Sequence, residues 1–178
     1  NPYDMRLRSS VFVQTENSNI VIDAGPDFRQ QMLRANIAKL DAVFLTHEHK
    51  DHTAGLDDLR AYNYLMKKPI SVYAEDRVLD AIRREYSYVF AENRYPGVPQ
   101  MDLRPISSEA FVLNEETFQP IQVFHNMLTV FGFRINDFAY VTDAKTITEE
   151  ERDKLRNLKV LVLNAIRVKP HTSHMGLH

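Results

Sequence analysis

Three histidines and two acids crowd into His47-Glu48-His49-Lys50-Asp51-His52. Imidazole and carboxylate are ligands for zinc, manganese and iron, and metal-ligand bonds offset the high cost of clustering them. In extended or turning backbone, His47 and His49 point to the same side, because side chains alternate with period two. Asp51 and His52 follow one turn later and can address a second ion beside the first. Just upstream, Ala42-Val43-Phe44-Leu45-Thr46 reads as a short buried strand that delivers the cluster. A charged surface loop could share this composition, but it has no reason to space its donors this way.

The same arrangement recurs along the chain. Ile121-Gln122-Val123-Phe124 ends in His125, Phe138-Ala139-Tyr140-Val141-Thr142 ends in Asp143, and Ile20-Val21-Ile22 ends in Asp23. If these strands belong to packed sheets, their ends can share one edge, where α/β proteins place their sites. Histidine occurs at 47, 49, 52, 125, 171, 174 and 178 and nowhere else. Alone, His125 would read as a core or surface histidine. Beside the opening motif it is a ligand candidate.

The positioning elements follow from periodicity. Leu7 to Thr15 and Asn19 to Asp23 read as a hairpin around Glu16-Asn17-Ser18. Asp23-Ala24-Gly25-Pro26-Asp27 is a turn, where an Asp commonly bonds local backbone N–H groups. Phe28, Met32, Leu33 and Ile37 then have helical spacing. A helix is expected from Thr53 to Met66, a strand from Ile70 to Ala74, and a helix capped by Asp76 running to about Phe90. Val78, Leu79, Ile82 and Tyr86 share one face of that helix. Ala91 to Gln100, with two prolines and a glycine, is a loop and a candidate lid.

Further strands are expected at Phe111 to Leu113, Ile121 to Phe124, Leu128 to Ile135 and Phe138 to Thr142. Thr148-Glu149-Glu150-Glu151 reads as a capping box for a helix to about Leu158. The continuous apolar run Val160-Leu161-Val162-Leu163 reads as a strand buried on both faces.

Composition sets the bounds. At 178 residues, 44% hydrophobic and 26% charged, the chain reads as a single domain, 1–178, large enough for a core. A net charge of −2 gives no electrostatic argument for a long nucleic-acid partner, and none is expected. The absence of cysteine removes disulfides and thiolate metal ligands. No run of 18 consecutive apolar residues is present to span a membrane. A cytoplasmic location is expected, and the oligomeric state is left open. Asn1 opens the chain without methionine or a signal-peptide pattern, so a fragment is expected.

The pattern His-x-His-x-Asp-His after a strand ending in Thr46 resembles the signature of the metallo-β-lactamase-fold hydrolases. Within that superfamily the chain looks most like the phosphoribosyl cyclic phosphodiesterases of phosphonate breakdown. That likeness rests on Arg6-Leu7-Arg8-Ser9-Ser10, Ile22-Asp23-Ala24-Gly25-Pro26-Asp27-Phe28-Arg29, Leu45-Thr46-His47-Glu48-His49, Ala54-Gly55-Leu56-Asp57-Asp58-Leu59-Arg60 and Tyr95-Pro96-Gly97-Val98-Pro99.

The resemblance implies an α/β, four-layer αββα sandwich (α+β in some schemes), incomplete at both termini. It implies one metal held by His47, His49 and His125, and a second held by Asp51 and His52, with Asp143 bridging. The ions would be two divalent metals, Zn2+ or Mn2+. Asp23 matches a group that orients a ligand imidazole.

The expected activity is hydrolysis of small cyclic or nucleotide-like phosphodiesters, with a metal-bridging hydroxide as attacking group. The alternatives are thioester or lactam hydrolysis, a pre-tRNA 3′ nuclease, and a non-catalytic metal-binding relative. The family's chain continues to a last histidine ligand, with two readings here. Either that ligand lies beyond His178 and His174 serves as general acid for the leaving alkoxide, or His171 is itself the last ligand. On the first reading, Thr172 and Ser173 offer cap hydroxyls for a helix that barely begins. Arg60 and Arg94 are considered as phosphate holders.

Overall fold

The computed structural model describes residues 5–177, and the last ligand expected beyond His178 lies outside them. The chain falls into two compact units, Asn1–Pro105 and Ile106–His178. No helix among the described residues is long and apolar enough to cross a membrane.

The first unit is built on a mixed sheet in the order β1-β2-β3-β4-β5. Strands β1 (Val11–Gln14) and β2 (Asn19–Ile22) form the expected antiparallel hairpin. Leu7 to Ser10, expected in the first strand, stay outside it. Strands β2, β3 (Ala42–Phe44), β4 (Ile70–Ala74) and β5 (Met101–Pro105) run parallel. Helices α1 (Phe28–Arg34), α2 (Lys50–Thr53), α3 (Leu59–Met66), α4 (Asp76–Glu85) and α5 (Ser87–Phe90) complete the unit. Val21, Val43 and Val72 of the sheet pack with Phe28, Leu56, Leu59, Val78, Leu79 and Ile82 in one core. Burying each such side chain stabilises the fold by roughly 1.5–3 kcal/mol.

The helix expected from Thr53 to Met66 is broken. Only α2, a 3-10 turn at Leu56–Asp58 and α3 are helical. The break sits at Gly55, whose N–H donates to Ala24 O at 2.8 Å. A Cβ there would lie 2.1 Å from Gly25 O and 2.6 Å from Phe28 Cβ. A Cβ on Gly25 would lie 2.1 Å from Asp51 O. Backbone meets backbone at both glycines, and this contact lashes the His-rich segment to the turn after β2. Ala24 N adds a 2.8 Å bond to His52 O. Helical spacing in the sequence carries no trace of that long-range contact.

The helix expected over Asp76 to Phe90 also divides, at Tyr86 (φ −103°, ψ 37°). Its cap position is Glu75 rather than Asp76, and no side-chain cap bond forms. Tyr86 instead donates its hydroxyl to Thr53 O at 2.8 Å, and burial pushes that hydroxyl's pKa up to about 12.

The 91–100 segment is irregular, as its prolines require. Pro96, Gly97 and Val98 lie beside Arg60, Asn63, Tyr64 and Lys67 of the α3 region. The Asn63 side chain clasps Gln100 through both its backbone N–H and its carbonyl. This loop therefore feeds the entry of β5, whereas the histidines leave the exit of β3, parallel to β4 and β5. It is not a lid over them.

The second unit carries the order β10-β9-β8-β7-β6. Strands β6 (Phe111–Leu113), β7 (Glu116–His125), β8 (Leu128–Ile135) and β9 (Phe138–Val141) form an antiparallel meander. Its tight turns place Asn114, Asn126 and Asn136 at positive φ (48°, 59° and 54°). Asn tolerates that left-handed conformation, which makes it a hairpin residue.

Helix α6 (Glu149–Asp153) is shorter than expected, and Asn157 (φ 58°) turns the chain before Leu158. Thr148 Oγ1 accepts from Glu151 N as a cap should. The Glu151 carboxylate does not complete the box: it accepts from Gln122 N and Lys154 Nζ, both at 2.8 Å. Strand β10 (Val160–Leu163) pairs in parallel with β9. Its residues are 40–50% exposed, which corrects the expectation of burial on both faces. Apolar character made the strand, but among the described residues it occupies the sheet's edge.

Candidate metal-binding clusters

In the first unit the cluster is assembled at the ends of two neighbouring parallel strands. β3 delivers Leu45, Thr46 and His47, and β2 delivers Asp23. Both Asp23 and His47 are wholly buried, and His52 nearly so. Asp23 adopts φ 65°, a left-handed conformation that turns its carboxylate into a set of donors. Thr46 N donates to Oδ1 at 2.9 Å, the Thr46 hydroxyl reaches Oδ2 at 3.0 Å, and His52 Nδ1 lies 2.6 Å from Oδ2. Burial pushes the Asp23 carboxyl above the usual carboxylate range, opposed by His52 and the Thr46 donors.

His47 Nε2 and His49 Nδ1 face each other at 2.9 Å. The His47 and His52 rings lie 4.2 Å apart between centroids. Asp51 is more exposed, with Oδ2 at 3.5 Å from His52 Nε2. Thus His47, His49, Asp51 and His52 converge within one unit, as their spacing suggested.

Sequence reasoning missed the supports. Thr46 contacts both Asp23 and His47 Nδ1, the latter at 3.0 Å. Helix α4 grips the motif from outside through Arg77–Glu48 and Lys50–Glu85 ion pairs. The threonine was legible as the strand's last residue, but no local signal links Arg77 to Glu48. Arg60 and Arg94 go elsewhere. Arg60 borders an apolar groove lined by Phe28, Met32, Leu33 and Leu65, and Arg94 reaches Val89 O at 3.4 Å.

In the second unit, His125 ends β7 and Asp143 follows β9 at φ 53°. One donor atom from each of His125, Asp143 and His174 lies within 4.8 Å of the others. The His125 and His174 rings are 4.4 Å apart. His171 stands one step back: its ring is 5.1 Å from His174, and its Nδ1 lies 3.2 Å from Ser173 N. The helix expected at Thr172 and Ser173 does not begin within the described residues.

The donor set fits divalent metals. Metal-binding histidines characteristically anchor their second ring nitrogen, which fixes tautomer and orientation. His125 Nδ1 lies 3.0 Å from the carbonyl oxygen of Asp143. A carbonyl can only accept, so Nδ1 carries the proton and Nε2 the lone pair. His52 Nδ1 is likewise committed to Asp23. The 2.9 Å between His47 and His49 nitrogens is close to the roughly 3.3 Å separating two imidazole ligands of one tetrahedral ion.

Asp23→Asn tests this anchoring. An amide must turn its NH2 toward Thr46 or His52, so metal affinity or turnover is expected to fall about 10- to 100-fold. Titration of the metal-free protein, with circular dichroism to confirm folding, measures it. Unchanged affinity would reduce Asp23 to a turn residue.

Comparison with known proteins gives consistent relatives. The model of the beta-lactamase superfamily domain matches residues 18–178. A new diphosphatase from the PhnP family is 35% identical, with TM-score 0.89, covering 99% of this chain and 68% of that one. An octanoyltransferase of Porphyromonas gingivalis is 42% identical over 98% of this chain but only 36% of its own length. A ribonuclease Z of Bradyrhizobium sp. (strain ORS 278) is 26% identical over 64% of this chain and 40% of its own. This chain therefore spans little more than a third of those two curated relatives.

Proposed function

We propose a function from one established premise: the chain belongs to the metallo-β-lactamase superfamily and has its fold, two mixed sheets with flanking helices. The superfamily is one of hydrolases, and the reading put forward is hydrolysis of a small phosphodiester supported by two divalent metals, zinc or manganese. What supports phosphoryl chemistry is the 35% identity to a diphosphatase along 99% of this chain, and the narrowing to a diester rests on the motif likeness of Ile22 to Arg29, Leu45 to His49 and Tyr95 to Pro99. On this reading His47, His49 and His125 would hold one ion and Asp51 and His52 the other, with Asp143 serving both. When bound, such a pair supplies Lewis acidity and lowers the pKa of a coordinated water.

The protein's own groups do the rest. Asp23 keeps the His52 proton on Nδ1, and the Asp143 carbonyl does the same for His125. His174, within reach of Asp143 and His125, donates a proton to the departing oxygen. General acids of this kind contribute about 10²- to 10⁴-fold. The substrate is a small molecule; a net charge of −2 gives little purchase on long nucleic acid.

A second reading, acyl-ester or thioester hydrolysis, is favoured by the Porphyromonas relative's name. One screen separates the two. Full-length, metal-loaded protein is assayed on bis(p-nitrophenyl) phosphate, p-nitrophenyl phosphate and an octanoyl thioester. The diester should be hydrolysed at least about tenfold faster than either of the others, a difference of 1.4 kcal/mol in barrier. Faster turnover of the thioester would move the assignment to the second reading.

A further inference from the structure

The segment carrying His174 has no regular structure of its own within the described residues. Something must nonetheless hold its imidazole beside Asp143 and His125. The turn Asp143-Ala144-Lys145-Thr146 supplies the frame. Phe124, next to His125, accepts from Lys145 N at 2.7 Å and donates to Thr146 O at 3.0 Å. Asn164 brackets Ala144 with two bonds, accepting from its N–H at 2.8 Å and donating to its carbonyl at 3.1 Å. The turn is thereby fixed to the ends of both β7 and β10.

Two ties then run from this turn to the segment. Met175 N donates to Ala144 O at 2.8 Å, immediately after His174. Lys145 Nζ donates to His171 O at 2.5 Å, three residues before it. The first tie is ordinary backbone pairing that any residue at 175 except proline could make. The second depends on one ammonium group at one position. Charge-assisted bonds of this kind are the short, strong ones.

We propose that Lys145 is a positioning residue: its ammonium pins the His171 carbonyl and so sets the His174 imidazole against Asp143 and His125. This rests on the reading of His174 as the group that protonates the leaving oxygen. Lys145 touches no reacting atom in that scheme. It acts through the segment it holds, and a lysine is suited because its stem spans the gap while its head donates to a lone carbonyl.

Lys145→Met keeps the stem and removes the donor. Hydrolysis of diesters with poor, alkoxide-like leaving groups should slow about 10- to 100-fold, while p-nitrophenyl diesters stay within about twofold. Lys145→Arg should restore most of the loss. His174→Ala combined with Lys145→Met should be no slower than His174→Ala alone, because residues acting as one unit are not additive.

A readout independent of metal and turnover is hydrogen exchange in the metal-free protein. The Met175 amide should exchange about tenfold faster in Lys145→Met, reporting a loosened segment. Equal slowing of both ester types, additive losses in the double variant, or unchanged exchange at Met175 would each overturn the role of Lys145. If His174→Ala itself shows no leaving-group dependence, the reading of His174 fails instead. The exchange result then still decides whether Lys145 holds the segment.

Discussion

His47→Ala protein is expected to bind at least one metal equivalent fewer per chain and to lose well over a hundredfold in turnover. His47 is wholly buried, its Nδ1 pinned by Thr46 and its Nε2 turned to His49. Removing the outer partner of a metal ligand typically costs 10–100-fold, so removal of a ligand itself should exceed that range. The substitution also empties space in the core, which lowers stability whatever the ring does. His49→Ala separates the two effects, because His49 is exposed and its loss leaves the packing of β3 intact. Elemental analysis of both purified variants, alongside His125→Ala, decides the matter. Full metal content in all three would remove the histidines from the centre.

The second large effect belongs to Asp143→Asn. Asn adopts left-handed backbone as readily as Asp, so the turn at φ 53° should persist and the melting temperature should barely move. What disappears is one negative charge beside His125 and His174, with His174 Nδ1 3.8 Å from the Asp143 carboxylate. A carboxylate holding two dications offsets part of their mutual repulsion, and a neutral amide cannot. Turnover should fall by about a hundredfold or more, with weaker metal binding. Kinetics across a metal titration distinguish the causes. Wild-type rates at saturating metal would make Asp143 a surface acid with no part in the reaction.

Much of this was legible because the informative signals are local. Short apolar runs located β2, β4, β6, β8 and β9, and the strand ends announced Asp23, His47, His125 and Asp143. The convergence of His47, His49, Asp51 and His52 followed from residue spacing alone. What escaped was settled by contacts between residues far apart in sequence. Gly55 breaks a helix because Gly25 and Phe28 occupy the place of its Cβ. Glu151 abandons its capping box because Gln122 N and Lys154 offer better partners. β10 reads as interior from its side chains, yet a strand's place in a sheet is decided by its neighbours. The ties from Arg77 to Glu48 and from Lys145 to His171 join segments with no shared pattern.

The left-handed backbone at Asp23 and Asp143 (φ 65° and 53°) also limits how these positions can drift. Most replacements there meet a backbone penalty of about 1–2 kcal/mol before any side-chain effect is counted. Glutamate preserves the charge but incurs that penalty, and its extra methylene would carry the carboxylate past the donors Asp23 collects. The exchange of Asp for Glu, routine on a surface, is therefore costly at both sites. The substitutions the backbone accepts most readily, Asn and Gly, are those that discard the charge. A lineage relaxing its hold on metal would pass through them first, keeping the fold while the chemistry lapsed.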